Sequence, residues 1–312
     1  MSDLVEVPVN PVPRGGVSGT IKAADGVHLR YARWRPVRRQ ARGTVLILQG
    51  RAEFIEKYFE TVADLGRRGY AAAAFDWRGQ GGSERLLEDP RKGHVEDFSQ
   101  YLRDLDAVSE QVLLPDCPPP YYVLAHSAGG AVALLSATKA RTRFDKMILS
   151  APLLGLALRA PRLIGSLTSL LCYAGLGEAY VPGGGATIVQ TIPAVRPLLT
   201  SDVRRHSRSV AVVEARPALG IGSPTIAWVR AALQLEKALD PALVGGLMPV
   251  PVLAVIVGAE AIVSNRAIER FSTGVKMAAH IRIPGARHEV LMERDVYRDQ
   301  FWAAFDAFIA GE

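Results

Sequence analysis

Five short uncharged apolar runs constrain this chain more than any other feature. They occupy residues 44–48, 70–75, 121–125, 147–150 and 252–257. A strand that is apolar on both faces must be covered on both faces, the situation of a parallel sheet between layers of helices. Between the runs lie repeats of helical period. Phe54, Ile55, Tyr58, Val62 and Leu65 lead to Gly69, and Phe98, Leu102, Leu105, Val108 and Val112 lead to the Pro-rich turn at 117–120. Residues 129–140, 265–271 and a last segment through Phe301 and Phe308 read as further helices, and 281–284 as a last strand. Near the start, residues 19–23 and 27–34 flank Asp25-Gly26, a hairpin turn signal. This alternation predicts an α/β fold, a mostly parallel sheet with helices on both faces.

The rhythm stops after Pro152. Residues 153–251 are helical in pattern, broken at 182–185 and at Pro193, Pro197 and Pro224, with no strong strand signal before Val252. We expect residues 1–152 and 241–312 to build one sheet domain, with 153–240 inserted in it as a helical unit. A chain of 312 residues has room for that arrangement and for a sizeable core without staples.

Charge and cysteine content narrow the function classes. Lys plus Arg exceed Asp plus Glu by 37 − 31 = +6. The basic residues are scattered, and the densest groups, Arg35–Arg38–Arg39 and Arg204–Arg205, lack the interleaved aromatics of a nucleic-acid groove. Nucleic acid is therefore not expected as a partner, whereas peripheral contact with an anionic membrane surface stays open. Cys117 and Cys172 make neither a disulfide framework nor a metal cluster. The first residues carry Asp3 and Glu6 and no apolar core run, unlike a secretory signal. The uncharged stretch 163–177 is too short and too broken to span a bilayer. The expectation is a cytoplasmic protein; its oligomeric state is not legible.

The chemistry concentrates at Tyr122-Val-Leu-Ala-His-Ser-Ala-Gly-Gly130. An apolar strand runs into Ser127, and small residues follow into a helix. That is the layout of a nucleophile elbow, the tight strand-to-helix turn that lifts a hydroxyl above the sheet; a Ser-Gly helix cap is the plainer alternative. A serine hydroxyl needs a base. Of six histidines, His126 adjoins the serine and is expected to point away, His28 lies in the early hairpin, and His280 starts a strand. His288 follows the last strand in a loop at the carboxyl edge of the sheet, where a base is required. Chain order then calls for an acid between the two, and Glu260 is the carboxylate in the loop after 252–257. Backbone donors for an oxyanion are expected from Ala128, directly after the serine, and from Arg51, aimed inward by a bend at Gly50.

The segments QGRAEFIEKYFE, FDWRGQGGSER, LAHSAGG, LTSD and PGARHEVLMERD resemble the lysophospholipase and monoacylglycerol-lipase group of serine α/β-hydrolases, also known under a serine-aminopeptidase-like heading. The similarity spans nearly the whole chain. It implies an α/β-hydrolase fold with a helical cap and a triad of Ser127, His288 and an acid; no cofactor or metal is expected, since the sequence shows no His/Cys ligand cluster. The loop Asp76-Trp-Arg-Gly-Gln-Gly81 resembles a structural loop of that group. Gln49 stands where His is frequent, Ala125 where Gly is commoner, and Glu260 where Asp is usual.

The expected function is hydrolysis of carboxylic esters, of the lysophospholipid or monoacylglycerol type, through an acyl-enzyme. The substrate is then a small lipid-like ester. Leu167 and Leu170, on an apolar face of the first cap segment, are the expected acyl contacts. Amide or peptide hydrolysis by the same residues, or ligand binding without turnover, are the competing readings.

Overall fold

The computed structural model describes residues 3–36, 41–139 and 142–310. Its eight strands are β1 (Gly16–Lys22), β2 (His28–Trp34), β3 (Thr44–Leu48), β4 (Ala71–Phe75), β5 (Tyr121–His126), β6 (Lys146–Ser150), β7 (Val252–Val257) and β8 (Ala278–Ile283). They form one sheet in the order β1-β2-β4-β3-β5-β6-β7-β8. The β1–β2 hairpin turns at Gly26 (φ 92°), and β2 joins β4 antiparallel; the remaining neighbours are parallel. Every residue of β3, β4 and β7 is buried, the placement that their unbroken apolar runs require.

The helices are α1 (Phe59–Arg67), α2 (Ser99–Val108), α3 (Leu114–Asp116), α4 (Ala128–Thr138), α5 (Pro161–Tyr173), α6 (Arg196–Leu199), α7 (Val203–Ala215), α8 (Ile226–Ala238), α9 (Pro241–Val244), α10 (Asn265–Gly274) and α11 (Asp295–Ala310). Side-chain caps start three of the longer ones. Asp202 accepts from the Arg205 amide, Thr225 from Trp228 and Ser264 from Ala267. Between β6 and β7 the chain adds no strand to the sheet; α5 through α9 lie there, with α5 packed on α8. No helix among the described residues is long and apolar enough to cross a membrane.

Several boundaries differ from the sequence pattern, and β1 already starts at Gly16 rather than 19. The repeat beginning at Phe54 opens with a tight turn, Ile55–Tyr58, before α1 proper. The second repeat passes from α2 through a wider turn, Ser109–Leu113, into α3. The last strand starts at Ala278 rather than 281, so His280 lies inside β8. Being an edge strand, β8 leaves most of its residues half-buried or exposed, which removes the apolar signal.

Candidate active site

Ser127 occupies the turn between β5 and α4 with φ 49° and ψ −116°. A non-glycine residue holds a positive φ of this kind only when its surroundings impose it. Here the Ser127 N–H donates to the Ser150 carbonyl at 3.0 Å, and the Ser127 carbonyl accepts from Gly130 and Leu153, both at 3.0 Å. The start of α4 is driven against the end of β3. A Cβ on Gly129 would stand 2.4 Å from the Leu48 oxygen and 2.6 Å from that of Gln49; one on Gly130 would stand 2.9 Å from the Pro152 side chain. Backbone oxygens cannot move aside, so the small residues after the serine are a steric condition of the turn.

His288 lies beyond β8, and its Nδ1 is 2.8 Å from Glu260 Oε2. Both side chains are almost wholly buried. Glu260 sits just after β7, and its other oxygen, Oε1, accepts from the amides of Ala261 (2.9 Å), Ile262 (2.7 Å) and Val263 (3.2 Å). Burial alone would raise this carboxyl. The hydrogen bond and charge of His288, joined by the Ile262 and Val263 amides, outweigh it and hold the group below the usual range. With Oε1 committed to its own loop, Oε2 is left for Nδ1, and the imidazole keeps Nε2 for another partner. The His288 ring packs edge-on against His126, with centroids 4.7 Å apart. His126 immediately precedes Ser127, so the His288–Glu260 pair stands at the elbow.

Arg51 lies in the loop after β3. Neither its amide nor that of Ala128 is taken up by a hydrogen bond among the described residues. Neighbouring polar groups brace the loop tightly. Gly50 donates to Glu53 Oε2 at 2.5 Å, Gln80 donates to the Gly50 carbonyl at 2.9 Å, and the Gln80 oxygen accepts from Ala52 at 3.2 Å. Asp76 accepts from the Ile55 amide at 2.9 Å and from Gln49 at 3.3 Å. The Asp76–Gly81 segment therefore supports the Arg51 loop.

A buried polar cluster behind the histidine escaped the sequence reading. Lys57 bridges Glu53 at 2.7 Å and Glu289 at 2.6 Å, and Tyr58 donates to Glu53 at 2.7 Å. His126 Nε2 is 3.8 Å from Glu53. Burial holds His126 down at about 4, so it is neutral at ordinary pH. Glu53, His126 and Glu289 bring ligand-type atoms within 4.8 Å of one another. The Lys57 ammonium already supplies the cation for both carboxylates. The available signal is a Glu and a Lys four residues apart at the start of an apolar helical repeat. The cluster ties the Arg51 loop, through Glu53, to the residue after His288.

The structure does not bring Leu167 and Leu170 into this buried site. They lie on the outer face of α5, 49% and 63% exposed, beside Leu163. The opposite face of α5 is the one turned to α8, so any acyl contact they make is at the surface. Arg205 is absorbed by Glu60, Asp202 and Asp295, and Arg38 and Arg39 lie outside the described residues. Cys117 and Cys172 are free thiols.

The family model described as serine aminopeptidase, S33, matches residues 39–295. The chain belongs to the serine aminopeptidase S33 family. Lysophospholipase L2 of Escherichia coli K12 is 32% identical to it over 284 residues, covering 88% of this chain and 82% of that protein. Two solved structures share the fold of this S33 member. One is a soluble variant of monoglyceride lipase from Saccharomyces cerevisiae in complex with a substrate analog (TM-score 0.75, 19% identity, 96% of this chain and 95% of that one). The other is a highly thermostable carboxyl esterase from Bacillus coagulans in complex with glycerol (TM-score 0.74, 18% identity, 96% and 99%). The S33 chain thus has an α/β-hydrolase fold, as its sheet order and its serine turn already indicated.

Proposed function

We propose that this chain is a serine hydrolase of single-chain glycerolipid esters, lysophospholipids and monoacylglycerols, with Ser127, His288 and Glu260 as its triad. The observation that carries the reading is the 2.8 Å contact between His288 Nδ1 and Glu260, set beside the strained serine turn. The similarity to lysophospholipase L2 supports the substrate class.

Glu260 holds His288 in the tautomer with the proton on Nδ1, which leaves Nε2 as the base. Ser127 gives its proton to Nε2 as its oxygen adds to the ester carbonyl. The amides of Ala128 and Arg51 donate to the oxyanion as charge develops there. Collapse of the tetrahedral intermediate transfers the proton from Nε2 to the departing glycerol oxygen and leaves the acyl group on Ser127. Water, deprotonated by the same Nε2, releases the acid. Residues 153–240 form the cap over this edge of the sheet, and the outer face of α5 is its contact with lipid aggregates.

A fluorophosphonate probe tests the reading directly. Stoichiometric labelling at Ser127, with turnover of octanoyl lysophospholipid and monoacylglycerol, is the expected result. A chain that binds such lipids but leaves Ser127 unlabelled would be a binding protein. Turnover confined to aminoacyl amides would move the activity to the amide class.

A further inference from the structure

Among the described residues, the Arg51 guanidinium has no carboxylate partner. Three other inward-facing arginines are paired, Arg30 with Glu56 and Asp76, Arg78 with Asp25 and Asp104, and Arg298 with Asp64, whereas Arg85, also depressed to about 10 by desolvation, has only carbonyl partners among the described residues. Among the described residues the Arg51 side chain makes one hydrogen bond, from Nη2 to the Gly222 carbonyl at 2.6 Å, while its Nε is buried without an acceptor. Its guanidinium carbon stands 5.5 Å from the centre of the Trp228 ring. Gly93 keeps the space open, since a Cβ there would lie 2.4 Å from Ile221 and 3.1 Å from Arg51 Nη2. Desolvation depresses this cation to about 10, countered by the phenols of Tyr101 and Tyr180 alone. Keeping a desolvated charge unpaired is costly, and an anion from outside the chain would relieve it. Arg85 and Arg91 also end on carbonyls of the neighbouring loop, at Ala218 and at Gly220, which adds positive charge nearby.

The residue's position says which anion. Its amide is the donor assigned above to the ester oxyanion, so its guanidinium lies one side chain away from the reacting carbonyl. Five bonds from Cα to the guanidinium carbon span about 6 Å when extended. In a lysophospholipid acylated at the first glycerol carbon, six bonds separate the ester carbonyl carbon from phosphorus, about 7 Å. A monoacylglycerol has a neutral hydroxyl there. We propose that the Arg51 guanidinium binds the phosphodiester of a lysophospholipid head group and makes the enzyme select anionic over neutral glycerol esters. A planar fork of donors suits phosphate oxygens, and stacking on Trp228 holds its plane.

The inference rests on the proposed ester hydrolysis, and the experiment separates the two. Wild type, Arg51→Lys and Arg51→Gln are assayed on octanoyl lysophosphatidylglycerol, on 1-octanoylglycerol and on p-nitrophenyl butyrate, all below micelle-forming concentrations. The quantity read is the ratio of kcat/KM for lysophospholipid to that for monoacylglycerol, in which any change to the shared chemistry cancels. Loss of a charge-assisted contact predicts a fall of roughly tenfold or more in Arg51→Gln, with partial recovery in Arg51→Lys. In parallel, sn-glycerol 3-phosphate should inhibit p-nitrophenyl butyrate hydrolysis by wild type more strongly than glycerol does at matched ionic strength, and Arg51→Gln should lose that difference. A ratio unchanged within about twofold, or equal inhibition by the two alcohols in wild type, overturns the assignment and leaves Arg51 as a clasp on the Gly222 loop. Wild type inactive on both lipids but active on the butyrate would instead refute the lipid substrate class, with the inhibition arm still deciding the role of Arg51.

Discussion

Replacing Glu260 by Gln tests the catalytic reading most sharply, because the surrounding backbone dictates how the new amide must sit. Three amides, from Ala261, Ile262 and Val263, donate to Oε1, so that position demands an acceptor. The glutamine carbonyl will take it, since the alternative sets NH₂ against three N–H groups. The NH₂ then falls at the Oε2 position, 2.8 Å from His288 Nδ1. A donor there stabilises the tautomer with the proton on Nε2, which cannot accept from Ser127. The expected loss is about 10⁴ in kcat, the scale of the corresponding change in serine proteases, or about 5.5 kcal/mol of barrier. KM for a short ester should stay within a few-fold, because the exchange keeps the size of the side chain and leaves the acyl site alone. Glu260→Asp keeps the charge but shortens the arm by one carbon, which opens the 2.8 Å contact, so its rate should fall between the two. The assay is steady-state hydrolysis of p-nitrophenyl butyrate, with circular dichroism to verify the fold. A Glu260→Gln enzyme within tenfold of wild type would refute the tautomer argument and move the acid elsewhere.

Ser127→Ala should fold normally and lower kcat by roughly 10⁴ or more, as expected for loss of a serine nucleophile; substantial residual ester turnover would exclude the mechanism. Burial sets the acid sensitivity through His126, whose value is about 4 in the folded chain against 6.5 unfolded. Between those values only the unfolded chain takes up the proton, so the stability present above pH 6.5 falls as the pH drops to 4, by up to about 3 kcal/mol. Urea midpoints of wild type and His126→Asn at pH 7.5 and 5 should diverge accordingly, and parallel slopes would reject the assignment. Leu167→Asp should leave the melting temperature nearly unchanged, since the residue is half exposed, and raise KM for long-chain esters several-fold but not for acetate esters. An equal rise for both would place Leu167 outside the acyl contact.

Local rules made much of this molecule legible in its sequence. A five-residue apolar run such as Thr44–Leu48 has one stable situation, burial on both faces, and the turn at Ser127 announces itself by small neighbours because backbone oxygens of β3 stand where side chains would go. Edge strand β8 shows only part of its length in the apolar pattern, because solvent lets its residues be polar. The helical spacing of Leu163, Leu167 and Leu170 likewise defines a stripe without saying whether it faces protein or solvent. What only the tertiary structure decided are the pairings between distant residues. Glu53, Lys57, His126 and Glu289 meet at the carboxyl edge because β3, β5 and β8 end there, and 236 positions separate Glu53 from Glu289 (289 − 53). The same holds for Arg51. Its place after a strand is written in the chain, but whether a carboxylate reaches its guanidinium depends on how the segment around Gly222 and Trp228 packs back over it. Periodicity and sterics act within a few residues, whereas charge compensation inside a protein is settled by whichever groups folding brings within about 4 Å.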